Sequence, residues 1–77
     1  MAEIWNYETI KELLYAPGLG HYFTYGLLAA RKINSVWEPV EFIHDVTTDY
    51  LLVKKMEELF NRYQLYPIHL RDAIEDM

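Results

Sequence analysis

The sequence predicts an α+β domain in which a small antiparallel sheet of two or three strands packs against two C-terminal helices. Three observations carry that expectation. Residues 21–31 and 40–46 are runs rich in aromatic and aliphatic side chains, separated by a turn-forming stretch. Residues 48–63 carry an apolar stripe at helical spacing. Past Pro67 a shorter stripe of the same period runs to the C-terminus. At 77 residues and with no internal boundary, the chain reads as a single domain over residues 1–77.

Residues 6–15 admit two readings. Ile10, Leu13 and Leu14 stand at helical spacing behind an Asn6 cap, with Pro17 and Gly18 just past the end, and this predicts a helix. Thr9, Ile10 and Tyr15 equally suit a strand hairpinned through residues 17–20. Residues 21–31 predict a strand that wants cover on both faces, because Phe23, Tyr25 and Leu27 oppose Tyr22, Thr24, Gly26 and Leu28. Residues 32–39 read as a loop. Residues 40–46 alternate, with Val40, Phe42, His44 and Val46 on one face and Glu41, Ile43 and Asp45 on the other.

Thr47, Thr48 and Asp49 supply a cap and an early negative charge for a helix reaching Tyr63. Its stripe is Leu52, Met56, Leu59, Phe60 and Tyr63, and Lys54, Lys55 and Glu57 mark a solvated face. Glu58 and Arg62 are four apart in the favourable order. After Pro67, the residues Leu70, Ala73, Ile74 and Met77 repeat at helical spacing. The charges of this last helix oppose its dipole, with Arg71 near the start and Glu75 and Asp76 near the end, so packing of Leu70 and Ile74 must hold it.

Composition narrows the partners. Lys and Arg number 7 against 12 Asp and Glu, so a polyanion is repelled and no nucleic-acid role is expected. The longest apolar stretch, residues 22–30, is far short of the ~20 residues that span a bilayer, and no membrane role is expected either. The chain has no cysteine, which excludes thiolate metal sites and thiol chemistry and points to a reducing compartment, the cytoplasm. Residues 1–5 lack the basic start and apolar core of a secretory signal. A hydrophobic fraction of 52%, with 7 Tyr, 3 Phe and 2 Trp, argues against disorder.

No nucleophile elbow, phosphate loop, zinc-protease helix or calcium loop is present, and Gly18 and Gly20 make a turn rather than a phosphate cradle. Acid–base work by His44 with Glu41 or Asp45 would need a cleft that so short a chain can hardly enclose. The chain therefore reads as a non-enzyme without a cofactor. His69, Asp72 and Asp76 share one stripe of the last helix and offer one imidazole and two carboxylates, which read first as a solvated face and second as a small-ligand or metal site.

Two surfaces remain as partner sites. The two-faced run of residues 22–30 leaves one face for the N-terminal segment to cover as a lid, or for a partner to cover, with Tyr22, Tyr25 or Trp37 as anchors. The acidic side of the last helix, Asp72 and Asp76, would attract a cationic surface.

Residues 24–27 (Thr-Tyr-Gly-Leu), 42–49 (Phe-Ile-His-Asp-Val-Thr-Thr-Asp) and 67–76 (Pro-Ile-His-Leu-Arg-Asp-Ala-Ile-Glu-Asp) resemble a family of short uncharacterised bacterial proteins. In that family a Tyr-Gly dipeptide on a strand precedes an acidic strand-to-helix turn, and a Pro-x-His-Leu-x-Asp segment opens the last helix. The resemblance covers roughly the last fifty residues and implies one compact domain in a bacterial protein; it transfers no catalytic or ligand-binding residue. The functional expectation is a small cytoplasmic interaction or regulatory module that binds protein, homodimeric through residues 21–31. The alternative is the ligand or metal site on the last helix.

Overall fold

The computed structural model describes residues 4–77, so part of the stretch at residues 1–5 that was read against a secretory signal lies outside the described residues. Three strands, β1 (Trp5–Ala16), β2 (Gly20–Ile33) and β3 (Val36–Thr47), precede helix α1 (Tyr50–Arg62), a 3₁₀ turn (Pro67–His69) and helix α2 (Leu70–Glu75). The strands form an antiparallel meander in the order β1-β2-β3. The α+β class is the one the sequence predicts.

Residues 6–15 are strand, which corrects the helical reading. β1 pairs with β2 without a register break from Trp5↔Arg31 to Ala16↔Gly20. Leu13 and Leu14, adjacent members of the supposed helical stripe, therefore point to opposite faces. β1 also lies in the plane of the sheet at its edge and is not a lid over β2.

Turn chemistry fixes both hairpins. Leu19 N–H donates to Ala16 O at 3.1 Å across Pro17 and Gly18, and Gly18 has φ +82°. Proline then glycine with positive φ is a type II turn. Between β2 and β3, Asn34 (φ 49°) and Ser35 (φ 68°) alone connect the Ile33↔Val36 pair. Two central residues with positive φ make the tight turn whose twist matches the strands. The expected loop at 32–39 thus shrinks to two residues, and Trp37 lies within β3.

β3 does not keep the predicted alternation. Its register against β2 shifts between Tyr25↔Thr47 and Leu27↔Ile43, and again between Ala29↔Glu41 and Ala30↔Pro39. At the first bulge Asp45 adopts φ 52°. The bulges turn Ile43 and Val46 together toward the helical side, although a regular strand would set them on opposite faces.

α1 and α2 cover that side of the sheet. The buried core is Tyr7, Leu27, Ala29, Val53, Met56, Phe60 and Leu70. Asp49 caps α1 by accepting from Leu52 N–H at 3.1 Å. At the other end Leu65 N–H reaches Phe60 O at 3.1 Å while Gln64 takes φ 50°, a Schellman-type stop. The helix therefore ends at Arg62, and Tyr63, expected in the apolar stripe, is exposed; Val53 takes the buried place. Leu70 alone of α2 is fully buried, and Met77 lies at the surface.

Candidate interaction surface

The geometry that matters begins with a mismatch of lengths. β1 and β2 have 12 and 14 residues and α1 has 13. At ~3.4 Å per strand residue and ~1.5 Å per helix residue, the hairpin is about twice as long as the helix that covers it. The molecule is accordingly elongated, 49 × 24 × 19 Å, and the distal half of the β1–β2 hairpin projects beyond the helices.

By strand alternation, Lys11, Leu13 and Tyr15 of β1 and His21, Phe23 and Tyr25 of β2 share the helical side. Beyond Tyr25 that side is bare: Leu13 is 57% exposed, Tyr15 65%, Phe23 58% and, at the turn, Leu19 69%. Lys11 Nζ lies 4.3 Å from the Phe23 ring centroid, and Tyr15 packs against His21 at 5.2 Å. Scattered exposed apolar residues are ordinary, but four on one projecting hairpin form a patch of the kind that marks contact surfaces.

The edge of β1 is treated differently along its length. Near the open end of the sheet, side chains from the α1 region replace a neighbouring strand. Glu57 Oε1 accepts from Thr9 N–H at 2.8 Å, and Asn61 Oδ1 accepts from Tyr7 N–H at 2.7 Å while its Nδ2 donates to Tyr7 O at 3.0 Å. Gln64 does the same for Trp5, accepting from N–H at 2.8 Å and donating to O at 3.0 Å. Odd-numbered residues thus turn their backbone outward, and those at Lys11, Leu13 and Tyr15 lie past the reach of Glu57. Glu57 was read as a solvated residue; it belongs to this seam instead. Burial pushes its pKa up, but the Lys54 ammonium and the Thr9 N–H outweigh that and hold it below the usual carboxylate value.

On the face away from the helices, a polar network fixes the β3 bulge. Asp45 accepts from Tyr22 OH at 3.0 Å and from Thr24 Oγ1 at 2.7 Å. Glu12 takes Asp45 N–H at 3.0 Å and meets His44 Nδ1 at 2.5 Å. The Asp45 hydrogen bond, with burial and the negative charges of Asp45 and Glu12, raises the Tyr22 pKa. Gly26 lies beneath, and a Cβ there would approach Ile43 O to 2.7 Å and Glu12 Oε2 to 3.0 Å. These groups satisfy one another across the bulge.

The residues singled out from sequence do not assemble into one site. Tyr22 faces the sheet's open side, whereas Tyr25 lies on the helical side, half-buried against the core and 5.4 Å from the Tyr50 ring. Trp37 is at the far end of β3, where Lys32 Nζ lies 5.8 Å from its ring. Tyr22 and Tyr25 lie on opposite faces, as their even and odd positions on β2 imply, and Trp37 lies apart from both on β3. Asp72 and Asp76 are exposed on α2 and at its C-cap, while His69 precedes the helix in the 3₁₀ turn. Among the described residues, no three His, Asp or Glu side chains converge to hold a metal ion. No helix is long and apolar enough to cross a membrane among the described residues.

An open groove of about 330 Å³ lies beside the 3₁₀ turn, lined by Trp5, Arg31, Val40, Tyr66, Pro67 and Ile68. The Trp5 ring meets Tyr66 edge-on at 5.9 Å there. Sequence reasoning passed over Leu13, Tyr15, Leu19 and Phe23, since a helix at 6–15 hides their common face. The alternation of Ile10, Glu12 and Leu14 against Lys11, Leu13 and Tyr15 was the signal that could have found it.

Neither the curated proteins nor the solved structures contain a match. A family of unknown function (DUF6514) matches residues 2–77, nearly the whole chain. The chain belongs to that family.

Proposed function

We propose that this protein is a small non-catalytic interaction module of the bacterial cytoplasm, which binds protein through the projecting β1–β2 hairpin. The observation that carries this reading is the apolar set Leu13, Tyr15, Leu19 and Phe23, held in the open on a two-stranded arm. A lone pair of strands is marginal in water, and exposing large apolar side chains on it adds cost without benefit to the monomer. A partner that covers them repays both. The cysteine-free composition suits a reducing compartment.

The test is site-specific photocrosslinking in cells, with benzoylphenylalanine replacing Phe23 or, as a control, the exposed Tyr63 of the helix end. A discrete adduct from position 23 that is missing from position 63 supports the hairpin as the contact. Equal or absent crosslinking from both positions removes it. Phe23→Lys should abolish binding while leaving the thermal midpoint within about 2 °C, since the side chain lies outside the core.

A further inference from the structure

A sheet edge is a row of unpaired donors and acceptors, and proteins blunt such rows unless they use them. β3 is broken into short regular pieces by two register shifts, by the positive φ of Asp45 and by Pro39, which has no N–H. β1 is blunted from Trp5 to Thr9 by Glu57, Asn61 and Gln64. Among the described residues the longest regular edge without such a device is the distal half of β1, where Lys11, Leu13 and Tyr15 present their backbone outward.

We infer that this segment pairs with the same segment of a second copy, β1 against β1 in antiparallel register about a two-fold axis at Leu13. The inference deepens the hairpin reading above and rests on it. The occupant is argued from self-complementarity. Centring on Leu13 sets Leu13 opposite Leu13, Lys11 opposite Tyr15, Ile10 opposite Ala16 and Glu12 opposite Leu14, so no like charges meet. The paired stretch runs from Ile10 to Ala16 and stops short of Thr9, which Glu57 occupies, and of Pro17, which cannot donate. Moving the axis to Lys11 or Glu12 opposes two like charges and pushes the second copy into the helix-capped edge. Moving it to Leu14 or Tyr15 spends pairing positions on Pro17.

Charge also favours this place. The chain carries −5, yet between residues 10 and 23 Lys11 and Glu12 cancel, so the hairpin is the neutral end of an acidic molecule. The acidic α2 lies at the other end of the sheet, tied there by Arg71 to Glu41 at 3.5 Å. Two copies joined by their hairpins keep those ends apart. The arrangement gives a continuous sheet of six strands, the isologous form of strand addition.

The absence of native cysteine makes the test direct. In the inferred register Leu13 and its symmetry mate exchange both backbone hydrogen bonds, a pair with Cα atoms about 5.5 Å apart, within reach of a disulfide. Leu13→Cys should oxidise to a covalent dimer in high yield, while Tyr63→Cys stays monomeric under the same conditions. Leu13→Pro removes an N–H that the monomer fold does not use, so it should raise the dimer dissociation constant roughly tenfold or more, read by light scattering over a concentration series. A monomeric wild-type mass at every concentration, or equal oxidation of both cysteine variants, overturns the inference. If the mass is monomeric while the position-23 crosslink joins a different protein, self-pairing fails and the hairpin reading stands.

Discussion

Asn61 grips Tyr7 by both backbone groups: its Oδ1 accepts from Tyr7 N–H at 2.7 Å and its Nδ2 donates to Tyr7 O at 3.0 Å. An amide side chain on a helix thus stands where the backbone of another strand would be. Asn61→Ala leaves a part-buried donor and acceptor unmet at once and should cost about 2 kcal/mol in urea unfolding. Asn61→Asp keeps the acceptor but sets a carboxylate oxygen against Tyr7 O, and should be no better.

The same tyrosine gives the fold an alkaline limit. Burial pushes the Tyr7 phenol up to about 12, against 10.0 for an ordinary tyrosine, and its hydroxyl donates to Leu65 O at 2.5 Å. The unfolded chain ionises first. The stabilisation is intact below pH 10 and is lost as pH rises toward 12, a total of about 3 kcal/mol at ~1.4 kcal/mol per pH unit. Tyr7→Phe should be less stable at neutral pH and show a flatter decline across that window in thermal melts.

Glu57 sets an acid limit of the opposite sign. Its folded pKa lies below the ordinary 4.5, so its contribution is present above that value and fades as pH falls through the folded one. Glu57→Gln still accepts from Thr9 N–H but loses the Lys54 ion pair. Its thermal midpoint should therefore fall less than that of the wild type between about pH 6 and about pH 3.

Gly26 has no room for a methyl group. A Cβ would lie 2.7 Å from the backbone oxygen of Ile43, which cannot swing aside as a side chain can. Gly26→Ala should destabilise by about 2 kcal/mol or more, measured by denaturant midpoint with unchanged slope.

Asp45 serves the bulge twice, by tolerating φ 52° and by receiving two hydroxyls. Asp45→Ala forfeits both and should cost about 2–3 kcal/mol. Asp45→Asn tolerates the backbone and keeps one acceptor, so its cost should be nearer ~1 kcal/mol in the same unfolding assay.

Legibility in the sequence followed the range of the forces involved. α1 was readable because its cap, stripe and Glu58–Arg62 pair are all local, and that pair closes at 2.8 Å as the spacing implied. The strandedness of residues 6–15 was not decided locally, since Ile10, Leu13 and Leu14 fit either period and pairing with β2 settles the matter. The β3 alternation failed because a bulge held by Glu12, Tyr22 and Thr24, all distant in sequence, resets the faces at Asp45. The seam along β1 was invisible for the same reason: nothing near Glu57 or Gln64 announces a strand edge nearly fifty or more residues away. The open hairpin then follows from strand and helix lengths once β1 is known to be a strand.

The interruptions in β3 decide how far association can go. A flat sheet with two serviceable edges has a valence of two, and stacking such units end to end builds an open fibre. Pro39 and the two register shifts silence one side, and the helix silences half of the other, leaving a valence of one. A unit with one usable edge is saturated by a single partner, so the strand addition inferred at this hairpin would terminate as a closed pair rather than propagate.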